Sequence, residues 1–446
     1  MTKSAAVLAV VAAILVVATA FPVSVRTSAM LAAGKLDAET LKALQAPEQV
    51  HAKMIGCPSK MAFSWVTQAP AGSVIKISTE GEDERSIEGS SFVFHNDATD
   101  VSYPEGRNFS IHNVVVDGFK PSTVYKYQVG DEEAGMSDTF TLTTLGNGPF
   151  TTAIFGDLGY LDAYCLPALH KDFQQGIYDM VIHSGDYAYN LESNDATVGD
   201  GFMNQIQDIA ASLPYQTCPG NHEVAFNFSN YLGRFHSEDF EGDFYNGNSA
   251  MEQLPAKSWF SFDVDSAHFV SISTELYFNN PELIDEQLAW LDKDLAAAQA
   301  AGTPWIVVFG HRPFYCSPDD QGLEGSFCRS DADMLRASLE QYFLKYGVTF
   351  YFAGHVHSYE ATYQVAKGVV ASQTFDNPTA PFYIIGGAAG NTEGKINYEG
   401  DAPAYSRFRT RAFGYGLLTV HNSTHLEFTQ RGIDESVIDH IMVTKL

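Results

Sequence analysis

Seven residues with cation-binding side chains stand beside glycines at the ends of short apolar runs: Asp157, Asp186, Tyr189, Asn221, His311, His355 and His357. Two carboxylates and a phenolate are hard anionic oxygens suited to a trivalent ion. An amide and imidazoles are neutral donors suited to zinc, manganese or ferrous iron. His355 and His357 are spaced i, i+2, so in an extended chain they project to one side, as two ligands on neighbouring ions would. Such an ion pair acts as a Lewis acid and lowers the pKa of a bound water, making it a nucleophile. His222, next to Asn221, is the candidate phosphate contact or proton donor. Glu223 reads as a group that orients a ligand. Taken singly, each motif is weak, since a Gly-Asp after a strand is more often a turn. Lone histidines such as His183, His236 and His268 read as surface or satisfied core residues. Arg312 is equally an anion contact or half of an ion pair.

The elements that must position these residues are strands. Thr151–Phe155 runs into Gly156-Asp157, Met180–Ile182 into Gly185-Asp186, and Trp305–Phe309 into Gly310-His311. Val348–Ala353 runs into Gly354-His355-Val356-His357, and a weaker strand at 213–217 precedes Gly220-Asn221-His222-Glu223. Ligands of open α/β sheets bind outside the carboxyl ends of strands, so five such ends in one domain can share a crevice. Helices at 282–300, with Leu288, Leu291 and Leu295 on one face, and at 332–346, with Leu335, Leu339 and Phe343, alternate with these strands. From 150 onward the pattern is therefore α/β. Residues 49–146 instead alternate apolar and polar residues in short runs (61–66, 111–116, 123–129, 140–144), the signature of a β-sandwich. Asn147-Gly-Pro149 is the linker, and residues 21–48 form a polar lead-in with a short helix at 36–44.

The formal net charge of −28 argues against a nucleic-acid partner, which would need basic stripes. It also gives a poor field for attracting phosphate, so an anion site must carry its own positive charge; bound metal ions would supply it. Residues 1–20 read as a signal peptide: Lys3, an apolar run over 4–17, then Ala18-Thr19-Ala20. A signal anchor is the competing reading, because the apolar run continues to Val25. Sequons at Asn108, Asn227 and Asn422 agree with export. Among five cysteines, Cys316 with Cys328 and Cys165 with Cys218 are the candidate bridges, with one thiol left over.

In this order the blocks Gly156–Gly159, Gly185–Tyr189, Gly220–Glu223, Val308–His311 and Gly354–His357 resemble the five signature blocks of the purple acid phosphatases. The likeness spans most of the chain, including Asn113–Tyr125, which is similar to the family's fibronectin-like N-terminal domain, and the segments Pro381–Gly390 and Phe413–Gly416. It implies a fibronectin-like β-sandwich at 49–146 and, at 150–446, a metallophosphoesterase domain of two packed mixed sheets flanked by helices. It further implies Fe(III) held by Asp157, Tyr189 and His357, a divalent zinc, manganese or iron held by Asn221, His311 and His355, and Asp186 between them. The superfamily's other main branch has Asp-x-His as its first block; Leu158-Gly159 here does not match it.

The chain departs from plant members, which carry a His pair shortly after the fourth block to assist the leaving group. Aligning through Glu324-Gly325 sets Asp320 and Gln321 there, so Asp320, Gln321 and Glu324 are the substrate-contact candidates beside His222. The expected function is a secreted acid phosphatase acting on small phosphate monoesters, with no stable membrane partner; a cell-surface anchor or a vacuole-like or lysosome-like compartment is the alternative. A diesterase or phytate-directed enzyme, or a secreted binding protein that kept the fold, are the competing functions.

Overall fold

The computed structural model describes residues 36–97, 106–235, 258–318, 328–398 and 400–446. Residues 1–20, His236, Asp320, Gln321 and Glu324 lie outside them.

Chain alternation builds the first half. Nine strands, β1 (Glu48–Ile55), β2 (Cys57–Thr67), β3 (Val74–Thr79), β4 (Arg85–Glu88), β5 (Ser90–Asn96), β6 (Arg107–Asp117), β7 (Val124–Asp131), β8 (Gly135–Met136) and β9 (Phe140–Thr143), form two antiparallel sheets. Their orders are β1-β2-β6-β5 and β4-β3-β7-β8, with β9 also paired to β7. Inward residues such as Phe63, Trp65, Ile75, Val114, Tyr127 and Leu142 close the core between them. The lead-in helix α1 (Ala38–Leu44) starts where the Asp37 carboxylate accepts the Thr40 N–H at 2.8 Å, satisfying one orphan donor.

The second half has two sheets face to face. One carries the parallel strands β10 (Phe150–Phe155), β11 (Met180–Ser184) and β12 (Tyr215–Cys218). The other carries β13 (Phe260–Val264) beside the parallel β14 (Ala267–Ser271), β15 (Trp305–Phe309) and β16 (Phe350–Ala353). C-terminal strands complete both, giving six and eight strands; those added to the first sheet are antiparallel, whereas in the second Phe382–Gly386 runs parallel to β16 and the strands beyond it are antiparallel. Ile154, Ile182 and Phe428 from one sheet meet Phe269, Trp305, Phe309 and Phe352 from the other. Helices α2 (Leu166–Gln174) and α3 (Thr197–Ala210) cover the outer face of the six-stranded sheet. A long helix (Ile284–Ala300) covers the other through Leu291 and Leu295. The helix expected at 332–346 is three pieces, α-helical at Cys328–Leu335, a π turn at Arg336–Glu340, and α-helical at Gln341–Tyr346.

Cys316 and Cys328 form a disulfide. The Cys165–Cys218 bridge does not form. Cys165 packs in the core under α2 and α3, Cys218 in the core between the sheets, and both are buried free thiols. Cys57 is a third, exposed thiol. Asn108, Asn227 and Asn422 are all exposed.

The sandwich and the α/β half share a wide contact. Edge strand β1 is covered by α3, whose Gln207 and Asn204 side chains accept the N–H groups of Val50 (2.8 Å) and Gln49 (3.2 Å). Side-chain acceptors thus satisfy an edge that would otherwise be open.

Candidate active site

Each site residue is delivered by a chain reversal just past a strand. Asp157 follows β10 and Asp186 follows β11, both with left-handed φ (60° and 53°), and Tyr189 is left-handed as well (51°). Asn221 opens a short 3-10 turn after β12; His311 follows β15; His355 and His357 follow β16. The glycines between strand and ligand are sterically required. A Cβ on Gly220 would lie 2.2 Å from Asp186 Oδ1, and one on Gly354 would lie 2.3 Å from Asp157 Oδ2.

The seven converge. Asp186, His311 and His355 offer ligand atoms all within 4.8 Å of one another, and so do Asp157, Asp186 and His357; Asp186 belongs to both groups. Asn221 Oδ1 lies 3.1 Å from His311 Nε2, and Tyr189 Oη lies 3.0 Å from His357 Nε2 and 3.3 Å from Asp157 Oδ1. The first group therefore gains an amide and the second a phenol.

The donor chemistry fits a pair of cations. His311 Nδ1 is 2.8 Å from the Ser184 carbonyl and His357 Nδ1 is 2.9 Å from the Gly394 carbonyl, so each Nδ1 carries the proton. Each Nε2 then points its lone pair at oxygens: His311 at Asp186 Oδ2 (3.1 Å), His357 at Asp157 Oδ1 (3.3 Å). Acceptors facing acceptors need a proton or a metal between them. Burial resists a charge on His311, but Asp186 and then Asp157 raise its pKa to about 10, and a cation would take the place of that proton. Burial, with Asp157 and Asp186, holds the Tyr189 phenol far above its usual value, so phenolate forms there only against a strong positive charge. Burial also raises Asp157. For Asp186 burial is outweighed by His311 and His222, which hold it well below the carboxylate range.

Around this cluster, Glu223 is buried and acts on backbone. Its carboxylate accepts the N–H groups of Asp186 (2.9 Å), Tyr187 (3.0 Å) and Gly220 (2.8 Å), tying together the two turns that carry Asp186 and Asn221. Arg312 is an ion-pair residue: Glu275 accepts from its Nε at 2.8 Å and Nη2 at 3.1 Å, and Asp331 from Nη1 at 2.7 Å. Its Nη1 also lies 3.2 Å from His355 Nε2. His183 is buried against Tyr215, and His268 lies between Asp263 and Asp294; neither joins the centre.

His222 stands over the ligand cluster, its ring 4.4 Å from that of Tyr189 and its backbone N–H on Asp186 Oδ1 at 3.0 Å. Two partners that the motifs do not mark hold the imidazole. Asn190 Oδ1 lies 2.6 Å from Nδ1, and Glu393 Oε1 lies 3.0 Å from Nε2. Glu393 Oε2 also approaches His357 Nε2 at 3.8 Å. Burial opposes a charge on His222, yet Asp186 and Glu393 raise its pKa to about 9. The only sequence sign of Glu393 is its place in the Gly390–Gly394 turn, where Asn391 Oδ1 accepts the N–H groups of Glu393 and Gly394.

Known proteins match this arrangement along nearly the whole chain. Residues 47–144 match the family described as "Purple acid Phosphatase, N-terminal domain", residues 150–359 "Calcineurin-like phosphoesterase", and residues 380–440 "Iron/zinc purple acid phosphatase-like protein C". Acid phosphatase type 7 of Mus musculus is 36% identical over 421 residues, 90% of this chain and 91% of that protein. An Fe(3+)-Zn(2+) purple acid phosphatase of Arabidopsis thaliana is 28% identical over 405 residues, covering 86% and 80%. The purple acid phosphatase from yellow lupin seeds shares the fold, with a TM-score of 0.76 at 20% identity, over 90% of this chain and 75% of that one.

Proposed function

The chain belongs to the purple acid phosphatase family, and from that premise we propose that it is a secreted acid phosphatase hydrolysing small phosphate monoesters at an Fe(III)–M(II) centre. That it is an acid phosphatase with a dinuclear metal centre follows from the family. In this reading Asp157, Tyr189 and His357 hold Fe(III); Asn221, His311 and His355 hold zinc, manganese or ferrous iron; and Asp186 serves both. The shared carboxylate, one residue common to two compact donor groups, is the observation that carries the reading. When bound, the ions supply Lewis acidity and a nucleophile active at low pH. The protein's own part is orientation. Glu223 fixes the turns of Asp186 and Asn221, and the carbonyls of Ser184 and Gly394 fix the tautomers of His311 and His357. His222, its Nδ1 held by Asn190, would turn its Nε2–H from Glu393 to the equatorial oxygens of the phosphoryl group or to the departing oxygen.

Export is supported by the N-terminal leader pattern, by exposure of all three sequon asparagines and by the Cys316–Cys328 disulfide. Among the described residues no helix is long and apolar enough to cross a membrane. The test is to purify the exported protein and assay an aryl phosphate, an alkyl phosphate and a phosphodiester from acid to neutral pH. Turnover of the monoesters with an acid optimum is expected. Preference for the diester, or retention inside the cell, would overturn the reading.

A further inference from the structure

The β-sandwich carries no catalytic cluster, yet its side chains reach the loop that leaves Tyr189. Arg107, at the start of β6 and almost wholly buried, donates through Nη1 to the Asp195 carbonyl at 3.1 Å. Its Nη2 donates to Gln68 at 2.7 Å and to the Asp200 carboxylate. Asn96, on β5, donates to the Glu192 carbonyl at 3.4 Å. From the catalytic half Arg234 donates to the Ala196 carbonyl at 3.3 Å and to Asp200 at 2.9 Å, and Gln49 of β1 accepts from it at 2.5 Å.

The segment so held is strained. Asn194, Asp195 and Ala196 have successive left-handed φ values of 50°, 55° and 65°, and none is glycine. L side chains visit this region as single residues, so three in a row persist only where the surroundings fix them. The same loop begins with Tyr189 and with Asn190, whose side chain holds His222 and whose carbonyl accepts the Ser193 N–H at 3.2 Å.

We propose that Arg107 is a positioning residue for the dinuclear centre: from the sandwich it clamps the left-handed segment 194–196 and through it sets the places of Tyr189 and Asn190. The sandwich is then a working part of the active site. This rests on the phosphatase reading above for its kinetic consequence, and on the loop geometry alone for its structural one.

The test uses the full chain with Arg107→Met, Arg107→Lys and Asn96→Ala, and Val114→Ala, a buried sandwich-core change away from the loop, as the stability control. Hydrogen exchange over 189–196 is measured in metal-stripped protein, and kcat and KM on an aryl phosphate in loaded protein. Arg107→Met is expected to lower kcat about tenfold or more with a smaller change in KM, and to speed exchange in 189–196 while the remaining catalytic strands stay protected. Lysine keeps the charge and one contact, so it restores most of the rate; Asn96→Ala gives a smaller effect of the same kind and serves if Arg107→Met does not fold. Val114→Ala lowers Tm without either change. Unchanged exchange over 189–196 in Arg107→Met and Asn96→Ala would overturn the clamp, as would equal effects from Val114→Ala. Faster exchange over 189–196 in the variants, beside a wild type that has no phosphatase activity, would sustain the clamp and sink the phosphatase reading instead.

Discussion

Two acidic clusters lie inside this molecule and are neutralised in different ways. At the domain junction Asp200 sits between the guanidinium groups of Arg107 and Arg234. At the strand ends Asp157 and Asp186 face imidazoles, a phenol and an amide. Burial pushes the acid pKa up in both places. Arg107 and Arg234 overcome it at Asp200, whose pKa is lowered; at the strand ends His311 and His222 hold Asp186 low as well, but at Asp157 burial prevails and the pKa is raised. An arginine is a permanent cation and completes a buried acid. Neutral nitrogen and oxygen donors leave the charge unfinished, which is what a metal site requires. Arg312, whose Nη1 lies 3.2 Å from His355 Nε2, is already committed to Glu275 and Asp331.

Breaking the unfinished cluster should abolish chemistry. Asp186→Asn removes the carboxylate common to both donor groups, so metal content and turnover fall together, the rate on the order of 10³-fold or more. Elemental analysis beside an aryl phosphate assay checks this; a fully active variant would refute the shared role. Breaking the finished cluster should cost stability instead. Asp200→Asn leaves two guanidinium groups without their acid, a loss of about 3–5 kcal/mol in denaturant unfolding. The pH dependence sharpens the contrast. Because the folded pKa of Asp200 is lowered, its contribution is complete above the ordinary value of 3.8 and fades as pH falls through the lowered one. The stability gap between wild type and Asp200→Asn must therefore narrow on strong acidification; a gap that widens would contradict the ion-pair assignment.

The Cys316–Cys328 link closes a loop of sequence separation 12, so replacing both cysteines with serine should cost about 3 kcal/mol, read as a lower Tm. Least affected should be the sequons. Each Asn→Gln change at Asn108, Asn227 or Asn422 should remove one glycan's mass from the secreted protein while stability moves by no more than about 0.5 kcal/mol.

How much of this is readable in the chain depends on where a contact's partners lie in sequence. The ligand turns are legible because each pairs a glycine with a donor at the end of an apolar strand, and the glycines are forced by the 2.2 Å and 2.3 Å approaches at Gly220 and Gly354. The two-sheet α/β core is legible from its apolar strands and helical periods. Polar strands such as β4 and β5 carry too few buried residues to announce themselves. Glu393 and Asn190 are illegible because a lone polar residue in a loop has no period, and their roles exist only once His222 lies between them. Arg107 lies in the sandwich, far in the chain from Asp200 and Arg234, and meets that pair only when the sandwich docks. The Cys165–Cys218 pairing fails for a related reason, since spacing says nothing about which core a thiol enters.

The most direct test of the central claim is a metal count on the purified chain with its visible spectrum, repeated for Tyr189→Phe. Two ions per chain are predicted, with a phenolate-to-iron absorption band that the Phe variant loses. A colourless chain holding one ion or none, or a band that survives without the Tyr189 hydroxyl, would contradict it.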